Sequence, residues 1–124
     1  IFLVSPDSSD ARLANAARNA RGFIYAASRM GVTGERDTLS SSPEVLVERT
    51  RRAGARNVCV GIGVSTPEQA RTVGRYADGV IVGSALVHTL LDDTGRAARD
   101  VREGLSALAA KVESLAEGVH NARR

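Results

Sequence analysis

Apolar residues fall along this chain in short runs, separated by segments with helical spacing. Ile1–Val4, IFLV, is too short for a helix and rich in β-branched and aromatic residues, and Ser5-Pro6 ends it, so it predicts a strand. Ser8, Ser9 and Asp10 offer caps for a helix over Ala11–Asn19, with Leu13, Ala16, Ala17 and Ala20 forming a small-residue buried face. Gly22 closes that unit, and Phe23–Ala27, FIYAA, reads as the second strand. Ser28–Ser42 is the longest irregular segment, because Gly31 and Gly34 forbid a steady helix. Such loops in compact domains are usually functional or disordered. Ser42-Pro43-Glu44 is a helix start, with Pro at the first helical position. That helix runs to Arg52 or Ala53, turns Val45, Leu46 and the stem of Arg49 inward, and stops at Gly54.

The same grammar repeats. Val58–Ile62 predicts the third strand. Ser65-Thr66-Pro67-Glu68 starts a helix that carries Ala70 and Val73 inward and runs to about Tyr76. Val80–Val82 is the fourth strand, led in by Ala77-Asp78-Gly79, and a short helix over Ala85–Leu91 follows Gly83-Ser84 directly. Asp92-Asp93-Thr94-Gly95 breaks the chain. A long helix over about Arg96–Glu117 places Val101, Leu105, Leu108, Val112 and Leu115 at spacings of three and four. Gly118 to Arg124 reads as a basic, frayed tail.

Strands alternating with helices predict an α/β fold: a parallel sheet with right-handed crossovers. All four strands are apolar on both faces, so both faces need cover. One layer of helices covers only one. The expectation is that the piece closes against another half-barrel or self-associates to hide the other face and two open edges.

Composition narrows the class. The 124 residues are 43% hydrophobic and 25% charged, an ordinary balance for one domain, but only half of the ~250 residues of a full (β/α)8 barrel. With no Trp, two Tyr and two Phe, the core must be built from Val, Ile, Leu and Ala. No run approaches the ~18 apolar residues of a membrane span, and nothing reads as a signal peptide, so no membrane association is expected. Cys59 is the single cysteine and sits in an apolar run, which suits a core residue better than a nucleophile. It leaves no disulfide within the chain, and a reducing cytoplasm is the expected compartment. Net charge is +3; the bases, all Arg except Lys111, are scattered among acids apart from Arg49-Thr50-Arg51-Arg52. A mixed-charge solvated helix face explains them, and no nucleic-acid binding is expected. Ile rather than Met stands first and the chain opens in a strand, which reads as a fragment or as numbering that begins partway through a longer protein.

The candidate chemistry lies in two strand ends. In Gly79–Leu91, GVIVGSALVHTLL, a strand turns into a helix through Gly83-Ser84 and aims free backbone N–H groups at one spot. Phosphate is the usual guest of such a turn. Val58–Val64, VCVGIGV, ends similarly in Gly61, Ile62 and Gly63. Two such ends about 20 residues apart resemble the phosphate site after strands 7 and 8 of a (β/α)8 barrel. Simple strand-end turns would use the same glycines. Tyr25 ends a strand and either faces the barrel mouth or is a core tyrosine with a satisfied hydroxyl. His88 and His120 have no second His or Cys at metal spacing, so no metal is expected. No nucleotide-binding glycine motif is present.

These segments are similar to a known family. YAASRMGVTGERD (Tyr25–Asp37), VGIGVSTPEQA (Val60–Ala70) and ADGVIVGSALV (Ala77–Val87) resemble the C-terminal half of the tryptophan synthase alpha chain, and IFLVSPDSSDARL fits the strand that begins that half. SRxGVTG is the specific element; the strand-GxG and strand-GS pairs occur in many phosphate-binding barrels.

The resemblance implies a (β/α)8 TIM barrel with strands 5 to 8 present here. Residues 1–124 would be one half-barrel of four βα units, with a phosphate-site helix at about 85–91 and a terminal helix at about 96–117. It implies cleavage of indole-3-glycerol phosphate to indole and glyceraldehyde 3-phosphate. Gly34, Gly61, Ile62, Gly63, Gly83 and Ser84 would hold the substrate phosphate. Tyr25 would border the substrate, and Arg29, Gly31 and Thr33 would belong to a lid loop in which Thr33 bonds a catalytic Asp. The family's catalytic Glu and Asp lie in its N-terminal half, outside these residues, so the chain alone is expected to be inactive. No cofactor is implied for it, because pyridoxal phosphate belongs to the beta chain, the implied partner. A non-catalytic half-barrel module that binds phosphate or a partner is the alternative. A third possibility is another phosphate-sugar barrel, such as indoleglycerol-phosphate synthase or thiamine-phosphate synthase, against which SRMGVTG argues.

Overall fold

The structure is a computed structural model, which describes residues 1–28 and 42–123. Four strands and five helices are described: β1 (Leu3–Val4), α1 (Asp10–Asn19), β2 (Ile24–Ala27), α2 (Pro43–Arg52), β3 (Val58–Gly61), α3 (Pro67–Gly74), β4 (Gly79–Val80), α4 (Ser84–Thr89) and α5 (Val101–His120). The strands form one parallel sheet in the order β1-β2-β3-β4, each beside its sequence neighbour.

Register assigns the two faces. Leu3, Tyr25, Cys59 and Gly79 pair across the ladder, as do Val4, Ala26, Val60 and Val80. In a parallel ladder, paired residues share a face. The Val4–Ala26–Val60 face lies under the helices, where these side chains are buried with Ile24 and Val58. Leu13 and Ala16 of α1, Leu46 and Val47 of α2, Ala70 and Val73 of α3 and Leu115 of α5 close that core. Full burial of one such aliphatic side chain contributes about 1.5–3 kcal/mol. The opposite face has no helical layer among the described residues. Leu3, on it, stays 69% exposed, beside Ile1 at 71%.

Helix starts follow from short polar caps. Ser9 accepts the Arg12 N–H, Ser42 accepts the Val45 N–H, and Thr66 forms a reciprocal capping box with Gln69. The arginine cluster in α2 is engaged with neighbours. Arg49 donates to the Pro6 and Ser8 carbonyls at 3.1 and 2.7 Å and pairs with Asp10. Arg51 pairs with Asp78 at 3.1 Å, and Arg52 lies 3.9 Å from Glu48. The buried positions of α2 are Leu46, Val47 and Thr50, whose hydroxyl donates to the Leu46 carbonyl at 2.7 Å; Val45 is only half-buried.

The last third departs most from the pattern reading. β4 is Gly79–Val80 rather than Val80–Val82, with Ile81 giving one further N–H to the Val60 carbonyl at 2.8 Å. It is an edge strand, and nothing among the described residues extends the ladder on its far side. α5 begins at Val101 because residues 91–99 fold back: Leu91 bridges Ala98, the Arg99 N–H donates to the Leu90 carbonyl, and Asp100 caps the helix through the Glu103 N–H. Its packed face is also displaced. Val101, Leu105 and Val112 are 72%, 57% and 45% exposed, whereas Gly104, Leu115 and Ala122 are buried. The inward seam reads Gly104, Leu108, Lys111, Leu115, Gly118, Ala122, again at spacings of three and four. Glycine sets it: a Cβ at Gly118 would stand 2.5 Å from the Pro67 carbonyl oxygen, so α5 and α3 meet backbone to backbone there. The tail is tied down. Arg123 donates to the Gly74 and Ala77 carbonyls at 3.3 and 3.2 Å, and Ala122 packs on Gly74.

Candidate functional site

The strand C-terminal ends open into a cavity of about 610 Å³, lined by Tyr25, by Ile62 to Ser65, by Ile81, by Gly83 to Ala85, and by His88 and Lys111. It holds no carboxylate among the described residues, and it gathers backbone N–H groups. The Gly63, Gly83, Ser84 and Ala85 N–H groups have no acceptor among the described residues. Donors without competing negative charge suit an anion.

Local backbone explains the donors. Ile62 has φ 83° and Gly63 φ 81°, two successive residues in the left-handed region. For a β-branched residue that is a real departure, costing about 1–3 kcal/mol, and such strain clusters at ligand sites. It follows directly on β3, turning the chain so that the 62–63 amides leave the ladder. Gly83 is different. Its φ is −124°, which any residue tolerates, and a Cβ there would meet nothing within 4 Å. The space beside Gly83 is therefore open cavity, and nothing in its φ requires glycine.

Of the residues singled out from sequence, Tyr25, Ile62, Gly63, Gly83 and Ser84 come together on this wall. Gly61 is buried beneath it: a Cβ there would stand 2.6 Å from the Tyr25 hydroxyl oxygen and 2.9 Å from Ile81 Cβ. Its lack of a side chain makes room for the tyrosine ring. Tyr25 faces the cavity, and its hydroxyl has no protein partner among the described residues. Arg29, Gly31, Thr33 and Gly34 lie outside the described residues.

Below the cavity, Cys59 touches Gly79, whose absent Cβ would be 2.7 Å from the sulfur. Burial and the nearby Asp78 push its thiol pKa up, keeping it protonated and unreactive. Asp78 itself loses solvent, which pushes its carboxyl up, but the Val58 N–H, the Arg51 guanidinium and Arg123 together outweigh that and hold it below the usual range. These are fastenings of the fold. No cluster of three metal-ligating side chains occurs among the described residues, and none of their helices is long and apolar enough to cross a membrane.

Sequence reasoning missed His88 and Lys111 as cavity residues. The available signal was the spacing of Lys111 from Leu108 and Leu115, which sets it on the packed side of α5.

Similarity to known proteins agrees with this arrangement. The tryptophan synthase alpha chain of Bifidobacterium longum is 75% identical over 123 residues, spanning 99% of this chain and 42% of the relative. That of Mycobacterium ulcerans is 50% identical over 119 residues, 96% of this chain and 40% of the relative. A crystal structure of tryptophan synthase from M. tuberculosis superposes with a TM-score of 0.73 at 40% identity, over 95% of this chain and 39% of that one. A mutant alpha-subunit from Pyrococcus furiosus gives 0.69 at 34% identity, over 94% and 44%. The chain thus spans about two-fifths of the length of these relatives, and its four parallel strands are half of their (β/α)8 barrel. The sequence model of the tryptophan synthase alpha chain matches residues 1–120, and the chain belongs to that family.

Proposed function

We propose that this chain is the C-terminal, phosphate-holding half of a tryptophan synthase alpha subunit, residues 1–124 forming one half-barrel domain. The observation that carries the reading is the cavity at the strand ends, with unpaired Gly63, Gly83, Ser84 and Ala85 N–H groups and no carboxylate among its described lining residues. In the complete barrel a carbon–carbon lyase would cleave indole-3-glycerol phosphate, breaking the bond between the indole ring and the glycerol chain to release indole and glyceraldehyde 3-phosphate. The part of this chain is to seat the phosphate against its amides while Tyr25 walls the adjoining space. Gly34, with Arg29, Gly31 and Thr33 of the same loop, would close over the substrate. The acid and base that move protons lie in the other half, so this chain alone does not turn over; a positioned carboxylate typically contributes ~10²–10⁴-fold.

Partners follow from the same reading. A complementary N-terminal half-barrel, or a second copy, would pair the open edges at β1 and β4 and cover Ile1 and Leu3. The beta chain, carrying its own pyridoxal phosphate, would receive the indole. The compartment is the cytoplasm.

Titration calorimetry with glycerol 3-phosphate, in whatever assembly restores a closed barrel, tests the site. Gly83→Asp, which puts a carboxylate into the open space beside the amides, nearly abolishes binding. Ser84→Ala removes one hydroxyl donor and loses about 1–3 kcal/mol. Unchanged affinity in Gly83→Asp, with the circular dichroism spectrum intact, moves the site elsewhere.

A further inference from the structure

We infer that Lys111 is a specificity residue of this cavity, supplying the side-chain cation that the backbone cradle lacks and selecting doubly charged phosphate monoesters over singly charged anions. The inference rests on the phosphate reading above and adds a residue to it.

Position comes first. Gly118 meets Pro67 at the start of α3, and Ala122 meets Gly74 at its end, so α5 runs alongside α3 in the same direction. Lys111 precedes Gly118 by seven residues, about 10 Å along a helix axis. That carries it past the start of α3 to the level of the strand C-terminal ends. It stands on the inward seam of α5, between Leu108 and Leu115. From there it lines the same cavity as Gly63–Ser65 and Gly83–Ala85.

Charge comes second. Lysine on the packed side of a helix usually meets a carboxylate or carbonyl. Among the described residues Lys111 has no ion-pair or hydrogen-bond partner. No carboxylate is among the residues lining the cavity. A primary ammonium on a four-carbon stem is a mobile point charge that can follow a phosphate oxygen. His88, from α4, lines the same cavity and also has no partner among the described residues. Backbone amides supply direction but no net charge. A dianion seated on them gains more from a nearby ammonium than a monoanion does.

The test is calorimetric titration of the chain, in an assembly that restores a closed barrel, with glycerol 3-phosphate, and with glycerol phosphate methyl ester as the singly charged probe. Lys111→Gln weakens the dianion by about tenfold, the loss of one charge-assisted contact, and weakens the monoanion less. Lys111→Arg stays within about twofold of the parent because the charge is kept. Arg102→Gln, an exposed cation on the same helix, leaves both affinities unchanged. Wild-type affinity in Lys111→Gln, while Gly83→Asp loses binding, overturns the lysine's role and leaves the cradle standing. Equal weakening by Arg102→Gln overturns it too, because net charge alone then explains the effect. Absence of saturable binding in the parent assembly overturns both readings.

Discussion

Gly61→Ala isolates the contact on which the cavity floor is built. The added methyl would stand 2.6 Å from the Tyr25 hydroxyl oxygen, 3.0 Å from Tyr25 Cζ and 2.9 Å from Ile81 Cβ. The ring can swing away; Ile81 Cβ is fixed to its backbone beside β4 and cannot. Overpacking of this kind costs about 1–3 kcal/mol, against which alanine recovers about 0.4–1 kcal/mol by restricting the unfolded chain. The net loss is roughly 1–2 kcal/mol. Tyr25→Phe removes the nearest atom but keeps Cζ and leaves Ile81 where it is, so it rescues Gly61→Ala only in part. The double-mutant cycle should therefore show a favourable coupling of about 0.5–1 kcal/mol. Urea unfolding followed by far-ultraviolet circular dichroism measures this, at one protein concentration and with the slope m checked for constancy. A change below about 0.5 kcal/mol in Gly61→Ala, or strict additivity with Tyr25→Phe, would refute the packing argument.

Other outcomes follow from the same geometry. Ile62→Gly relieves a left-handed β-branched residue, so urea unfolding should show stability unchanged or raised, where glycine normally lowers it; a loss above about 2 kcal/mol counts against strain at this turn. Asp78 has a folded pKa below its unfolded value, so the stability it contributes is present above the unfolded value and is lost as pH falls through the folded one. Asp78→Asn should flatten the acid limb of the stability–pH curve, and an unchanged limb would remove Asp78 as its source. The sheet face and two edges left uncovered among the described residues should make the isolated chain associate at micromolar concentration, and a compact monomer in sedimentation would contradict that expectation.

The βα repeat was legible because local signals agree with it. Each strand is an apolar run with a turn after it, and Ser42, Thr66 and the prolines at 43 and 67 announce the helices they start. The glycine-rich strand ends also pointed to the cavity before any geometry was known. The reason for each glycine was not legible. Gly61 serves Tyr25, Gly63 carries a left-handed φ, and Gly83 borders open space, three roles that one letter cannot distinguish. The face of α5 was misread for a related cause. Large apolar residues mark one stripe, but Gly118 lets the backbones of α5 and α3 approach and the packed seam turns toward the small residues. Lys111, hidden on that seam, is a tertiary consequence that charge counting leaves on the surface.

The order of the sheet bears on how the chain is made. Each of β2, β3 and β4 pairs with the described strand synthesised just before it, and none of the described strands must later be threaded between two older ones. The sheet can therefore grow at one edge in step with translation, each βα unit docking on a finished neighbour. The last fastening is of another kind. Arg123 reaches back to the carbonyls of Gly74 and Ala77, which were made nearly fifty residues earlier. A chain that stops short of Arg123 can hold four paired strands and still lack this clasp, which leaves the segment between α3 and β4 as the unlatched part of the fold.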